Sequence, residues 1–460
     1  MLYVAGVAYL LWAGCVWPAT TDFKPCHIDD IQTQAQCAYL DVPLDWAEQS
    51  GDSLDLFVAV VPPSGGAVTD APIYVLAGGP GQAASDLGAL ISGALVPARR
   101  GREVILIDQR GTGKTAPFDC DVPLDLSAGG GETARNCLAA AQHDPRHFGS
   151  DAFINDIHAV RNALGHNTIH IWGGSYGTRA ALLYLARFEH TVQSVVLDAV
   201  AAPVTPYLAL STSSAGRALE HTLSACASDP ACADTFGDLD AQLDNLLTEL
   251  ATSPRSVPIN GAQVDVDHEW FLGGLRGALY SPQSSAWIPL AISQFSEGNS
   301  GPWAAMADAT AGIVSELSLG TLLSVACGEE VTRLDAKDNT TSVFDGLSLA
   351  FFDEACAVWP SAAPPQEHAQ AVHSERPVLL LSGEFDPVTP PAFADAAAAD
   401  LSRSRHLIVP DGGHISTASG CMPELIATFL DTLDPAALDP SCLDKLKRTP
   451  FLLGSSGPAP

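Results

Sequence analysis

The stretch Ile169-His170-Ile171-Trp172-Gly173-Gly174-Ser175-Tyr176-Gly177-Thr178 decides how this chain is read. An apolar run from Thr168 to Trp172 reads as a buried strand, and Arg179 to Phe188 reads as an Ala/Leu-rich helix. Between them lies G-x-S-x-G, centred on Ser175. A sharp strand-to-helix turn of this kind lifts a serine hydroxyl off the end of a parallel sheet. Glycines flank the serine because the two backbones come close there. The helix N-terminus behind Ser175 aims N–H groups at whatever negative charge develops.

Working outward, further apolar strands are expected, most of them ending in a residue with chemistry. Cys37 to Trp46 and Leu54 to Val61 read as an opening antiparallel pair, followed by a strand from Pro72 to Leu76. That strand runs into Ala77-Gly78-Gly79-Pro80-Gly81-Gln82. A Gly-rich loop beside an elbow supplies the second half of an oxyanion hole, so the N–H groups of Gly79 and Tyr176 are the candidate donors. Glu103 to Gly113 is a strand ending in a polar turn, in which Asp108 and Arg110 read as a structural ion pair or, with less weight, as catalytic groups. Ala152 to Gly165 reads as an amphipathic helix, and Val195 to Val200 as the next strand, with an acid at Asp198. The alternation predicts an α/β fold: a mostly parallel central sheet with helices on both faces.

From 202 to 375 the alternation stops and helical segments follow, such as Ala215 to Ala225 and Leu239 to Leu250. This reads as an inserted, mainly helical cap between two core segments, 23–201 and 376–460. Within it, Cys327-Gly328-Glu329-Glu330 sets two acids beside a cysteine. They read either as an anionic anchor for a cationic group, such as a peptide's free amino terminus, or as a solvated acidic turn. Asn339-Thr340-Thr341 fits a glycosylation acceptor, relevant only in a eukaryotic host.

The sheet resumes at Pro377 to Pro390, where an apolar strand ends at Asp386, and a strand from His406 to Val409 leads into Gly412-Gly413-His414. The order Ser175, Asp386, His414 is the order Ser…acid…His. Ser175 needs a base to become nucleophilic; His414 takes that proton and returns it to the leaving group; Asp386 fixes the imidazole tautomer.

A net charge of −31 argues against nucleic acid as a partner, since phosphates need a basic surface. No P-loop or metal-ligand cluster is visible, so no cofactor and no metal are expected. Residues 1–22 begin with an apolar, uncharged run that resembles a secretory signal without its basic start. Cys15 lies in a faint lipoprotein-like box, so periplasmic or secreted location is expected, with a membrane link only through that signal or a lipid anchor. Of 11 cysteines the remaining ten fall in chain order into local pairs: Cys26 with Cys37, Cys120 with Cys137, Cys226 with Cys232, Cys327 with Cys356 and Cys421 with Cys442. Sequence alone leaves the connectivity open.

Gly78-Gly79-Pro80-Gly81, Asp108-Gln109-Arg110-Gly111-Thr112-Gly113 and Gly173-Gly174-Ser175-Tyr176-Gly177 together resemble the motif set of the prolyl aminopeptidase (proline iminopeptidase) group of α/β-hydrolases. Cys37 with Val42-Pro43-Leu44-Asp45, Cys327-Gly328-Glu329 and Gly383 to Pro390 resemble its secreted, tripeptidyl-aminopeptidase-like branch. The resemblance implies Ser175 as nucleophile, Asp386 and His414 as its partners, and Gly79 and Tyr176 amides as the oxyanion hole. It also implies Glu329 as holder of the substrate's α-ammonium, with Glu330 as rival. Ala77 departs from the pattern, because the prolyl branch usually has His there. The expected activity is that of an exported serine aminopeptidase acting on peptides with a free N-terminus. The runner-up is a carboxylic-ester hydrolase with the same triad, and a third reading is a binding protein that has lost catalysis.

Overall fold

The computed structural model describes residues 22–48, 51–120, 129–259, 261–331, 333, 342–345, 349–454 and 457. The expected signal segment, Cys15 and the Asn339 acceptor lie outside the described residues, apart from residue 22.

Eleven strands are described: β1 (Lys24–Cys26), β2 (Ala35–Pro43), β3 (Ser53–Val61), β4 (Ile73–Leu76), β5 (Val104–Ile107), β6 (Ile169–Gly174), β7 (Val192–Asp198), β8 (Arg255–Ile259), β9 (Ala262–Val266), β10 (Val378–Gly383) and β11 (Ser404–Val409). Nine of them form one sheet in the order β1-β2-β3-β5-β4-β6-β7-β10-β11. The pairings from β1 to β5 through β3 are antiparallel, and every pairing from β5 to β11 is parallel. The central strands β4, β5, β6 and β10 are buried along their whole length, as parallel strands covered on both faces must be.

Register explains why residues far apart in sequence meet. Leu76 lies beside Gly173, Gly174 beside Asp198, Asp198 beside Leu381, and Gly383 beside Val409. Five neighbouring strands, β4, β6, β7, β10 and β11, therefore end at one rim, and the loops beyond four of them carry Gly79, Ser175, Asp386 and His414. One helix, Pro391–Ala398, separates β10 from β11, the strand–helix–strand step that the Asp386–His414 spacing implied.

Two buried clusters cover the two faces of this sheet. One includes Tyr74, Ile105, Ile157 and Leu182; the other includes Val75, Trp172, Leu379 and Phe429. The inserted segment packs in two ways. Helices Tyr207–Ser228, Leu239–Leu250, His268–Ala278, Ile288–Ser296 and Gly301–Ser315 contribute to a third cluster around Leu219, Phe271 and Trp303. Leu319, Leu323, Ala326, Phe351 and Trp359 instead join the main sheet cluster. The mainly helical segment also holds a hairpin, β8 with β9, that was not expected. Its signal was present in sequence: an Asn-Gly dipeptide at 260–261 between two alternating runs is a hairpin signature.

All five local cysteine pairs are disulfides: Cys26–Cys37, Cys120–Cys137, Cys226–Cys232, Cys327–Cys356 and Cys421–Cys442. Such a framework forms and persists in an oxidising compartment. Among the described residues no helix is long and apolar enough to cross a membrane.

Candidate active site

Ser175 stands between β6 and the helix Tyr176–Phe188 with φ 54° and ψ −122°, a conformation that non-glycine residues rarely adopt. Two glycines make the turn possible. A Cβ on Gly177 would lie 2.2 Å from the carbonyl oxygen of Leu76, so the helix start presses directly on β4. A Cβ on Gly78 would lie 3.1 Å from the Cβ of Ser175, which brings the Gly-rich loop up to the nucleophile. Tyr176 is the first helical residue, so its N–H has no partner within the helix.

His414 and Asp386 meet directly. His414 Nδ1 lies 2.8 Å from Asp386 Oδ2 and 3.0 Å from Oδ1. A carboxylate only accepts, so Nδ1 carries the proton and Nε2 is left as the basic nitrogen. Asp386 is itself fixed by the amides of Val388 and Thr389, each at 2.8 Å, and by the Thr389 hydroxyl at 2.9 Å. From the inserted segment, the Tyr280 carbonyl accepts the amide of His414 at 2.8 Å, and the Tyr280 ring stands edge-on 5.2 Å away.

The electrostatics follow from burial and pairing. Burial disfavours the charged imidazole of His414, but the charge and hydrogen bond of Asp386, with a further contribution from Asp198, outweigh it and raise its pKa. Burial likewise works against ionised Asp386, and His414 with the loop amides reverses that, so its pKa is lowered.

Asp198 links the two halves of the site. Its carbonyl accepts the amide of Ser175 at 2.8 Å. Its carboxylate accepts the amide of Ser416 at 2.8 Å and the amide of Thr417 at 2.7 Å. Elbow and histidine loop are thus held to one residue. Among the described residues, Ser175 Oγ makes no hydrogen bond within 3.5 Å, so the contact between hydroxyl and imidazole is open in this structure. Such contacts often tighten only when substrate is bound.

The two acids of the inserted segment behave differently. Glu330 is 1% exposed and pairs with Arg179 at 2.5 Å, while its other oxygen accepts the amide of Leu208 at 3.3 Å. Burial raises its pKa against the pull of Arg179. Glu329 accepts the amide and the hydroxyl of Ser150, both at 2.8 Å, and borders a cavity of about 700 Å³ with Trp46, His147 and Pro364. Neither acid makes a hydrogen bond to Ser175, Asp386 or His414 among the described residues.

Asp108 and Arg110 do not pair with each other, contrary to the expected ion pair. Asp108 accepts the amide and hydroxyl of Ser85 and the amide of Lys114. Arg110 turns to Asp156, with Nε–Oδ2 at 2.7 Å and Nη2–Oδ1 at 2.6 Å, and also donates to the carbonyls of Leu44 and His147. Each holds loops around the rim from a different side.

Comparison with known proteins agrees with this architecture. Residues 71–219 match the model of the alpha/beta hydrolase fold, and residues 346–442 match that of TAP-like proteins. The chain has the α/β-hydrolase fold, and its C-terminal segment is similar to TAP-like proteins. This hydrolase is 24% identical to a tripeptidyl aminopeptidase of Streptomyces coelicolor, over 92% of its own length and 86% of that protein's. It is 28% identical to carboxylesterase B of Mycobacterium tuberculosis, over 92% and 89%. Among solved structures, the proline iminopeptidase of Mycobacterium smegmatis aligns over 87% of this chain and all of that one, at 20% identity and a TM-score of 0.44. The two family-model matches bear out the resemblance carried by the motifs at the level of an α/β-hydrolase fold and a TAP-like segment.

Sequence reasoning missed two parts of the hydrolase's rim. Asp198 was read only as an acid at a strand end. Ser150 was unremarked, although it touches both Glu329 and Tyr176.

Proposed function

We propose that this hydrolase is an exported serine aminopeptidase that cuts near the free N-terminus of peptides through an acyl-enzyme. The observation that carries the reading is the buried His414–Asp386 pair at 2.8 Å, tied through Asp198 to a serine on a strained elbow.

In this mechanism His414 Nε2 removes the proton of Ser175 as the hydroxyl adds to the substrate carbonyl. The oxyanion is received by the amides of Gly79 and Tyr176. His414 then protonates the leaving amine, and water, deprotonated by the same nitrogen, releases the acyl group. Asp386 keeps Nδ1 protonated and stabilises the imidazolium. Glu329 is the preferred anchor for the substrate's ammonium. It borders an open cavity and keeps lone pairs beyond its two bonds to Ser150, whereas Glu330 is committed to Arg179. The inserted segment 202–375 serves as the cap that excludes water. The five disulfides support export, with residues 1–22 as the signal.

The test is kcat/KM for peptide arylamides with free and N-acetylated termini. The aminopeptidase reading expects a strong preference for the free amine; equal rates would remove it. The second reading, a carboxylic-ester hydrolase, draws on the relative named carboxylesterase B. It expects short acyl esters to be turned over far better than either peptide.

A further inference from the structure

One hydroxyl connects Glu329 to the ring of Tyr176, the residue that follows Ser175. Ser150 Oγ lies 2.8 Å from Glu329 Oε2 and 2.8 Å from the phenol oxygen of Tyr176. Gln109 Nε2 lies 3.3 Å from that same phenol oxygen. Ser150 and Tyr176 are 0% and 1% exposed, so water does not compete for these contacts.

Proton accounting gives the chain a single direction. The Glu329 carboxylate accepts only, so the one proton of Ser150 Oγ points to it. Ser150 must then accept from Tyr176, whose hydroxyl is its donor, and Gln109 donates to the phenol oxygen. The relay runs Gln109 to Tyr176 to Ser150 to Glu329, with each bond polarising the next. The amide of Ser150 also donates to Glu329 Oε1 at 2.8 Å, so both carboxylate oxygens are oriented by one residue.

Tyr176 is the residue whose backbone N–H is the elbow's oxyanion donor. Its ring is held at the far end by Ser150, and Ser150 also fixes the carboxylate proposed to receive the ammonium. We propose that Ser150 is a positioning residue that couples amine recognition at Glu329 to alignment of the oxyanion amide of Tyr176. The proposal rests on the aminopeptidase reading above. A peptide whose ammonium docks on Glu329 tightens the relay, and through the phenol it fixes the first turn of the elbow helix. A substrate without the amine engages the oxyanion amide without that help.

A purely structural role is the competing account. Glu329 accepts from the first residue of the helix Ser150–Ala163, where a carboxylate is favourable in any case. The two accounts differ in what cutting the phenol end does. Tyr176→Phe leaves the Ser150–Glu329 bonds in place and removes the link to the elbow, together with the acceptor of Gln109.

The experiment measures kcat and KM on free-amine and N-acetylated tripeptide arylamides for the wild type, Tyr176→Phe, Ser150→Ala and Ser150→Thr. The coupling predicts that Tyr176→Phe lowers kcat about tenfold more for the free-amine substrate than for the acetylated one, with KM for the free amine little changed. Ser150→Ala adds a rise in that KM, and Ser150→Thr, which keeps the hydroxyl, retains the wild-type ratio. Equal losses on both substrates for Tyr176→Phe overturn the coupling while leaving the aminopeptidase reading intact. A wild type indifferent to acetylation removes that reading, and the coupling with it. If Ser150→Ala does not fold, the Tyr176→Phe comparison decides alone.

Discussion

Asp198 accepts both the amide of Thr417, at 2.7 Å, and its hydroxyl, at 2.6 Å, across 219 residues of chain. Thr417 in turn accepts the indole N–H of Trp172 at 2.9 Å, from the strand that leads into Ser175. The placement of Ser175 against the His414 loop is set by this buried junction as much as by the sheet.

Replacing Asp198 with Ala should leave the buried amides of Ser416 and Thr417 without acceptors. The expected cost is about 3 kcal/mol or more, read as a lower urea midpoint with an unchanged slope. Asp198→Asn should lower the His414 pKa, because Asp198's negative charge helps to raise it. The acidic limb of kcat/KM then moves to lower pH.

The pH profile of the wild type follows from the same shift. His414 must be neutral to act as base, and its pKa is raised above the ordinary 6.5. kcat/KM should therefore rise with pH through a midpoint above 6.5, as stopped assays across about pH 5 to 9 would show. Asp386→Asn should move that midpoint down and lower kcat on the order of 10⁴-fold.

Stability should show the opposite trend on the alkaline side. The raised His414 pKa contributes stability fully below 6.5 and loses it as pH rises through the folded value. The lowered Asp386 pKa contributes above 3.8 and loses its part as pH falls through the folded value. The pair therefore stabilises most between 3.8 and 6.5, and urea midpoints of wild type and Asp386→Asn should differ most in that window.

Arg110 and Asp156 are both fully buried and joined by two charge-assisted bonds, with the indole of Trp46 on the same carboxylate at 2.9 Å. Removing one partner strands the other charge. Asp156→Ala should cost about 3–5 kcal/mol, measured by denaturant unfolding.

The Cys327–Cys356 disulfide closes a loop of sequence separation 29 that begins two residues before Glu329. Replacing both cysteines with Ser should remove about 3–4 kcal/mol by loop entropy, lowering Tm. If Glu329 holds the substrate amine, KM for free-amine peptides should rise more than KM for acetylated ones.

Much of the fold was legible because local signals and global packing agreed. The elbow glycines mark a close approach that no side chain tolerates, and the strand before Asp386 lies in an apolar run, Val378 to Leu381. The disulfides were legible because each joins near neighbours in sequence. Asp198 was not legible, since an acid at a strand end carries no sign of a partner 219 residues away. The difference between Glu329 and Glu330 was hidden for the same reason: Arg179, 151 residues before Glu330, hydrogen-bonds Glu330 at 2.5 Å and stands 4.0 Å from Glu329. The hairpin β8–β9 was missed although Asn260-Gly261 announced it, because the surrounding helical pattern dominated the reading.

The central claim is that Ser175 is the nucleophile driven by His414. Mass analysis of the intact protein after exposure to a fluorophosphonate tests it most directly. The account predicts one adduct per chain, on Ser175, formed in proportion to the loss of hydrolysis and abolished in His414→Ala. An adduct on another residue, or hydrolysis that survives in Ser175→Ala, would contradict it.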